Sequence, residues 1–359
     1  MKKYVGFLSI GILVEAIFIA TPAPVAQREP WIAADEVPWD YAPSFPVNLM
    51  TGEEFNQEQR VFVENGIGRI YLKAIYREYL PGFSALKLRG SAEAHLGLLG
   101  PPIRAEVGDT LIVHFRNNTR FPLSIHPHGV LYDKNSEGSP YADETDLKAD
   151  DAVPPSGNHT YVWRVPQRTG PGPLDPSSIA WVYHSHTDET ADSNSGLIGP
   201  LIITRKGSAK SDGSPRDVDL EFVSLFKVFD ENDSLYLNEN ISRCTKGPCD
   251  PNDEDFRESN LKHAINGLLW GNNTGYVLPR GARVRWYILA MGTEVDLHTP
   301  HWHGVTALHN GHRLDVVEVL PAATKTVDLT TDNPGTWMLH CHVNDHIKAG
   351  MMTLFTILP

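Results

Sequence analysis

The sequence predicts an all-β protein of two β-sandwich domains, and three observations carry that reading. Short runs rich in Val, Ile, Leu, Thr, Tyr and Trp alternate with turn residues, among them 29 Gly and 27 Pro, as strands bounded by turns do. Helical periodicity is scarce. At 359 residues the chain exceeds one typical domain, and its two halves repeat one another.

From the N-terminus, Lys2 and Lys3 precede an apolar stretch over 4–20 and a small-residue segment over 23–26. Residues 1–26 therefore read as a secretory signal, with a single membrane anchor as the alternative. The stretch falls short of the roughly 20 apolar residues that span a bilayer, and it contains Glu15. A secreted protein is expected. Domain 1 is assigned to 33–205, a polar Gly/Ser-rich linker to 206–216 and domain 2 to 217–359. Strands are expected at 110–115, 161–165, 197–204, 284–290 and 352–358. In the repeat, His126-Pro-His-Gly matches His301-Trp-His-Gly, and Tyr183-His-Ser-His matches Leu339-His-Cys-His. Each of the latter is followed by a Gly and a closing apolar strand.

A formal net charge of −13 argues against nucleic acid, which is bound by clustered cations that release phosphate counterions. Five N-x-S/T sequons, at Asn117, Asn158, Asn232, Asn240 and Asn272, are glycosylation acceptors if the source is eukaryotic, giving a glycoprotein. Of three cysteines, Cys244 and Cys249 frame a short loop and can pair in an oxidising compartment. Cys341 stands apart.

Ten of the sixteen histidines fall into four compact clusters. These are His126 with His128, His184 with His186, His298 with His301 and His303, and His340 with His342 and His346. In a strand, H-x-H puts both imidazoles on one face. Imidazole suits several metals, so the histidines alone do not choose one. Cys341, with His346 five and Met351 ten residues on and His298 nearby, completes two imidazoles, a thiolate and a thioether. That is the ligand set of a blue, electron-transferring copper, whereas zinc gives Met351 no purpose. The remaining eight imidazoles are what three further coppers need. His340 and His342 flank Cys341, so an electron at the blue copper has a short covalent path to them.

These motifs, together with SNSGLIGPLII, FDENDSLYLNENI, ESNLKHAINGLLWGN and EVDLHTPHWHG, resemble the multicopper oxidases, in the ceruloplasmin and hephaestin branch. The resemblance implies cupredoxin-like Greek-key domains. It implies type 1 copper at His298, Cys341, His346 and Met351, and type 2 copper at His126 and His301. It places the type 3 pair at His128, His184, His186, His303, His340 and His342, four coppers per subunit. Ser185 takes the place of Cys341 in domain 1, so no blue copper is expected there. Six-domain relatives close a ring, so two domains imply a homotrimer with each oxygen-reducing cluster between subunits.

The same resemblance implies a ferroxidase that oxidises Fe(II) and reduces O2 to water. Its iron site would be Glu258, His263 and Asp345, with Glu294 reaching in from another subunit. Hard oxygen ligands stabilise Fe(III) more than Fe(II). A laccase-like oxidase of phenols or aromatic amines, or a cuprous oxidase, is the alternative. A nitrite reductase lacks the eight further histidines, and a non-enzymatic module like the coagulation-factor A domains would have shed its ligands. Asp150 and Asp151 resemble a calcium-binding loop, with the hard oxygens that Ca²⁺ takes.

Overall fold

A computed structural model describes Met1 and residues 26–359 apart from 245 and 248. The expected signal lies outside the described residues except at its two ends, Met1 and Ala26. Within domain 1, one sheet runs in the order Ile70–Tyr79, Trp31–Asp40, Thr110–Asn117, Asn158–Arg164, Leu131–Tyr132. Its facing sheet runs Ile103–Glu106, Ile198–Thr204, Ser178–His184, His126–Pro127. Domain 2 repeats both orders. Its first sheet is Leu261–Ile265, Leu220–Asp230, Arg283–Ala290, Thr324–Thr330, Ala307–His309, His312–Leu314. Its second is Val277–Leu278, Met352–Ile357, Gly335–Cys341, Pro300–Trp302. Sequence duplication is thus a duplication of topology. Among the described residues five short α-helices join the strands: α1 (Gln57–Val63), α2 (Glu189–Ser195), α3 (Leu237–Ile241), α4 (Glu254–Ser259) and α5 (Asn344–Lys348).

Burial follows the pleat in Thr110–Asn117 and Met352–Ile357, where buried and half-buried positions alternate. Ile198–Thr204 is buried throughout. The reason is a third core between the domains. Leu201 and Ile203 pack into domain 1, while Ile198 and Ile202 join Leu98, Val223, Phe229, Tyr287 and Leu289 in the interdomain cluster. Each fully buried Leu or Ile there contributes about 1.5–3 kcal/mol. Bonds such as Leu98 N to Asn266 O (2.9 Å) and Tyr71 Oη to Asn260 Oδ1 (2.8 Å) tie the halves across it. The two domains therefore pack as one body.

Three expectations change. Domain 1 begins before residue 33, because Gln27–Arg28 already pairs with Thr110 and Leu111. The polar segment 206–216 folds back as a tight loop, with Lys210 N donating to Ser214 O and Thr204 Oγ1 to Gly213 O. Its Gly and Ser residues serve turns rather than flexibility. Of the sequons, Asn117, Asn232 and Asn240 are buried, their amides already donating to Phe121 O, Arg257 O and Leu72 O. Asn158 is the exposed one, while Asn272 is half-buried and donates to Leu269 O. Cys244 and Cys249 are joined in a disulfide.

Candidate metal centres and substrate pocket

The strand Gly335–Cys341 delivers Cys341 to the domain 2 core, and α5 turns back to present His346 beside it. Backbone bonds close the loop, Met351 N donating to His346 O (2.9 Å) and Cys341 N to Met351 O (3.0 Å). His298 enters from a segment bridged to Val319. The Nδ1 atoms of His298 and His346 lie 3.1 Å apart, and Cys341 Sγ lies 3.8 Å and 3.6 Å from them. All three residues are buried, as is Met351 in the same core. Burial pushes the His346 pKa down to about 4 and the Cys341 thiol up, so the imidazole is a neutral donor. Two nitrogens and a sulfur converging on one point fit a soft metal that displaces the thiol proton.

In domain 1 the corresponding place holds Ser185, whose hydroxyl donates to Asp192 Oδ2 (2.6 Å) and accepts from Ser124 N (3.0 Å). A closed hydrogen-bond network takes the place of a metal site.

The other eight histidines form two sets that mirror each other. Strand register pairs His184 with His126 and His340 with His301. His128 Nε2 lies 3.1 Å from His184 Nε2, and His303 Nε2 lies 3.1 Å from His340 Nε2. His184 Nδ1 and His340 Nδ1 each donate to the carbonyl of the next residue, at 3.0 Å and 2.8 Å. That bond leaves each Nε2 lone pair free for a metal. His186 Nδ1 lies 3.1 Å from Ser139 Oγ, while the rings of His301 and His342 are 5.5 Å apart. Burial, then the neighbouring His126, pushes the His128 pKa down to about 4. Among the described residues, no hydrogen bond or ring contact joins the domain 1 set to the domain 2 set. The two sets thus stand as separate groups within one copy of the chain.

Glu258 at the end of α4, His263 on Leu261–Ile265 and Asp345 on α5 line one cavity of about 470 Å³. Burial, and then the charge of Asp345, raises the Glu258 pKa, so the two carboxylates share one field. Asp345 precedes His346, and the His263 ring lies 5.3 Å from that of His346. Glu294 is exposed and does not line this cavity. Domain 1 supplies the opposite wall, with Glu58, Gln59 and Phe62 of α1. No sequence pattern signals this, because Glu58 sits in an ordinary capped helix, Asn56 and Gln59 forming the capping box.

Asp150 is fully buried, with Oδ2 accepting from Glu137 N (2.9 Å) and Gly138 N (2.8 Å) and Oδ1 unpartnered. Asp151 is also buried and its Oδ2 has no hydrogen bond.

Comparison with known proteins decides the family. Two family models, both described as multicopper oxidase, match residues 95–208 and 246–359. The chain belongs to the multicopper oxidase family. Within it, this multicopper oxidase is 44% identical over 347 residues to hephaestin of Rattus norvegicus, covering 93% of the chain and 29% of that relative. It is 43% identical to the protein named ferroxidase HEPHL1 of Mus musculus, covering 91% and 29%. With ceruloplasmin of Homo sapiens it shares 41% over 92% of the chain and 32% of the relative. The chain thus spans about a third of the length of these relatives or less. A solved structure described as a multicopper oxidase superposes with TM-score 0.60 at 19% identity, covering 94% of this chain and 91% of that one. The blue copper oxidase from Nitrosomonas europaea also gives 0.60 at 19%, covering 92% and 86%, and both show the fold.

Proposed function

We propose that this multicopper oxidase is a ferroxidase, coupling oxidation of four Fe(II) to reduction of one O2 and four protons to two waters. The observation that carries this is the cavity holding Glu258, His263 and Asp345, whose His263 ring is 5.3 Å from the ring of His346. Two carboxylates and one imidazole are hard donors that hold Fe(III) more tightly than Fe(II), which makes the bound ion easier to oxidise. Copper at His298, Cys341, His346 and Met351 would accept single electrons, and copper at the eight remaining histidines would reduce O2 with four. Asp345 and His263 orient the substrate ion against His346, and Phe62, edge-on to His263 at 5.8 Å, keeps that ring in place.

The two separate histidine sets support a second part of the reading. His126 with His301 would hold the type 2 ion, and His128, His184, His186, His303, His340 and His342 the type 3 pair, four coppers per subunit. A second copy would supply the missing half, three copies closing a homotrimer. Glu294 suits the same geometry, being exposed and followed by Val295 and Leu297, which are 55% and 52% exposed. A neighbouring copy would cover those side chains and take Glu294 into its own iron cavity. Asp150 Oδ1, without a hydrogen bond, and Asp151 Oδ2, with only Lys148 Nζ at 3.7 Å, fit Ca²⁺, which would hold the loop after Glu137 under His126, whose Nδ1 lies 2.7 Å from Glu137 O. The disulfide fits an extracellular location. No helix among the described residues is long and apolar enough to cross a membrane.

Phe62 and Trp270 also line the cavity and would stack an aromatic amine, which keeps a laccase-like activity as the second reading. Oxygen uptake by the copper-loaded protein separates the two. The expected kcat/KM for Fe(II) exceeds that for an aromatic amine or Cu(I) by at least about tenfold. An order led by the amine would replace the ferroxidase reading with the laccase-like one.

A further inference from the structure

Lys227 has no role in the chemistry above, yet it is 1% exposed on the central strand Leu220–Asp230. Among the described residues its ammonium donates no hydrogen bond and joins no ion pair, and its nearest aromatic is Phe229, 5.5 Å from Nζ to ring centre. Together with Asp230 it lines a cavity of about 200 Å³ between the domains, closed on one side by Glu189, Ser193 and Asn194 of α2. On the other side stands Asp296. A cation left in such a place costs stability, so its surroundings show what it serves.

Asp296 is 1% exposed and fully engaged. Its Oδ1 accepts from Val228 N (2.7 Å) and lies 3.1 Å from His298 Nε2, while Oδ2 accepts from Thr293 N (2.9 Å). The turn before it is shaped around the carboxylate. Gly292 has φ +132°, and a Cβ there would lie 1.9 Å from Asp296 Oδ2. With Nε2–H donating to Asp296, the Nδ1 lone pair of His298 is the one that faces Cys341 and His346.

We infer that Asp296 and Lys227 set the reduction potential of the type 1 copper from opposite sides, Asp296 acting through His298 as a positioning residue and Lys227 as its counter-charge. This rests on the type 1 reading. A carboxylate on the remote nitrogen makes imidazole a stronger donor, which favours Cu(II) and lowers the potential. A buried cation favours Cu(I) and raises it, and with both groups 1% exposed bulk solvent screens neither effect strongly. The balance matters to the substrate. An iron-oxidising site needs a potential high enough to draw an electron from carboxylate-bound Fe(II), and Lys227 restores part of what Asp296 removes.

Redox titration of the copper-loaded protein, followed through the visible blue band, tests the pair. Asp296→Asn is expected to raise the potential and Lys227→Met to lower it, with the band retained. Opposite signs are the discriminating readout, since damage to packing would move both variants together. Potentials that stay put, or shift in one direction in both, overturn the inference. Should Asp296→Asn lose copper, Lys227→Met decides alone: a lowered potential upholds the inference and an unchanged one overturns it. Absence of a blue band in the unsubstituted protein would instead remove the type 1 reading itself.

Discussion

Glu258→Ala and Asp345→Ala are each expected to lower kcat/KM for Fe(II) by about 100-fold or more, while leaving oxidation of an aromatic amine within about threefold. The magnitude follows from losing one of two charged ligands in a half-buried cavity, where tenfold in rate corresponds to about 1.4 kcal/mol of transition-state stabilisation. Glu258 is held in this role by α4, whose cap Asp253 accepts from Phe256 N (2.9 Å). It is also held by Lys262, which donates to Ser259 O (2.5 Å), Gly68 O (2.9 Å) and Phe62 O (2.6 Å). Neither substitution touches the Cys341, His298 or Met351 side chains. The amine, which needs an electron acceptor but no carboxylates, therefore reports on the rest of the machinery. Equal loss of both substrates, or loss of neither, removes the iron assignment.

Cys341→Ser is expected to abolish the blue absorption and to reduce turnover of every reductant by about a thousandfold or more. No other thiol is available among the described residues, because Cys244 and Cys249 are paired. The sulfur is the point where His298, His346 and the strand carrying His340 meet, with His342 the next residue on, so a hydroxyl there leaves substrate cavity and oxygen centre unconnected. The fold is expected to survive. A buried hydroxyl without its acceptor costs about 1–3 kcal/mol, and domain 1 already carries Ser185 at the corresponding place with Asp192 as its acceptor. Absorption spectra with copper analysis check this; residual blue colour would show that Cys341 is not the ligand.

The repeat of sheet orders was legible because strands and turns alternate in each half, and because H-x-H pairs mark the same register positions twice. The closeness of Cys341 to His346 was legible from spacing, since they lie within one loop, whereas His298 joins them from a segment 43 residues away. What escaped the sequence depends on neighbours distant in the chain. Ile198–Thr204 reads as an apolar run whether it is buried by one domain or two, so the interdomain core was hidden. Segment 206–216 has the composition of a flexible linker, but its side chains satisfy turns. Asn117 and Asn240 fit a sequon while serving as internal donors. Glu58 and Asp296 are a surface helix acid and a loop acid by pattern. Only the packing of α1 on Leu261–Ile265, and of the 292–296 turn on Leu220–Asp230, gives them a place at a site.

Mixing two inactive variants tests most directly whether the oxygen-reducing centre is shared between copies. One carries His126→Ala with His128→Ala in domain 1, and the other carries His303→Ala with His342→Ala in domain 2. Co-assembled in equal amounts, a site is intact only where an unaltered domain 1 meets an unaltered domain 2, a chance of one half times one half. The predicted activity is therefore roughly a quarter of the unsubstituted protein's. A co-assembled mixture as inactive as its two folded components would contradict a centre built from two copies.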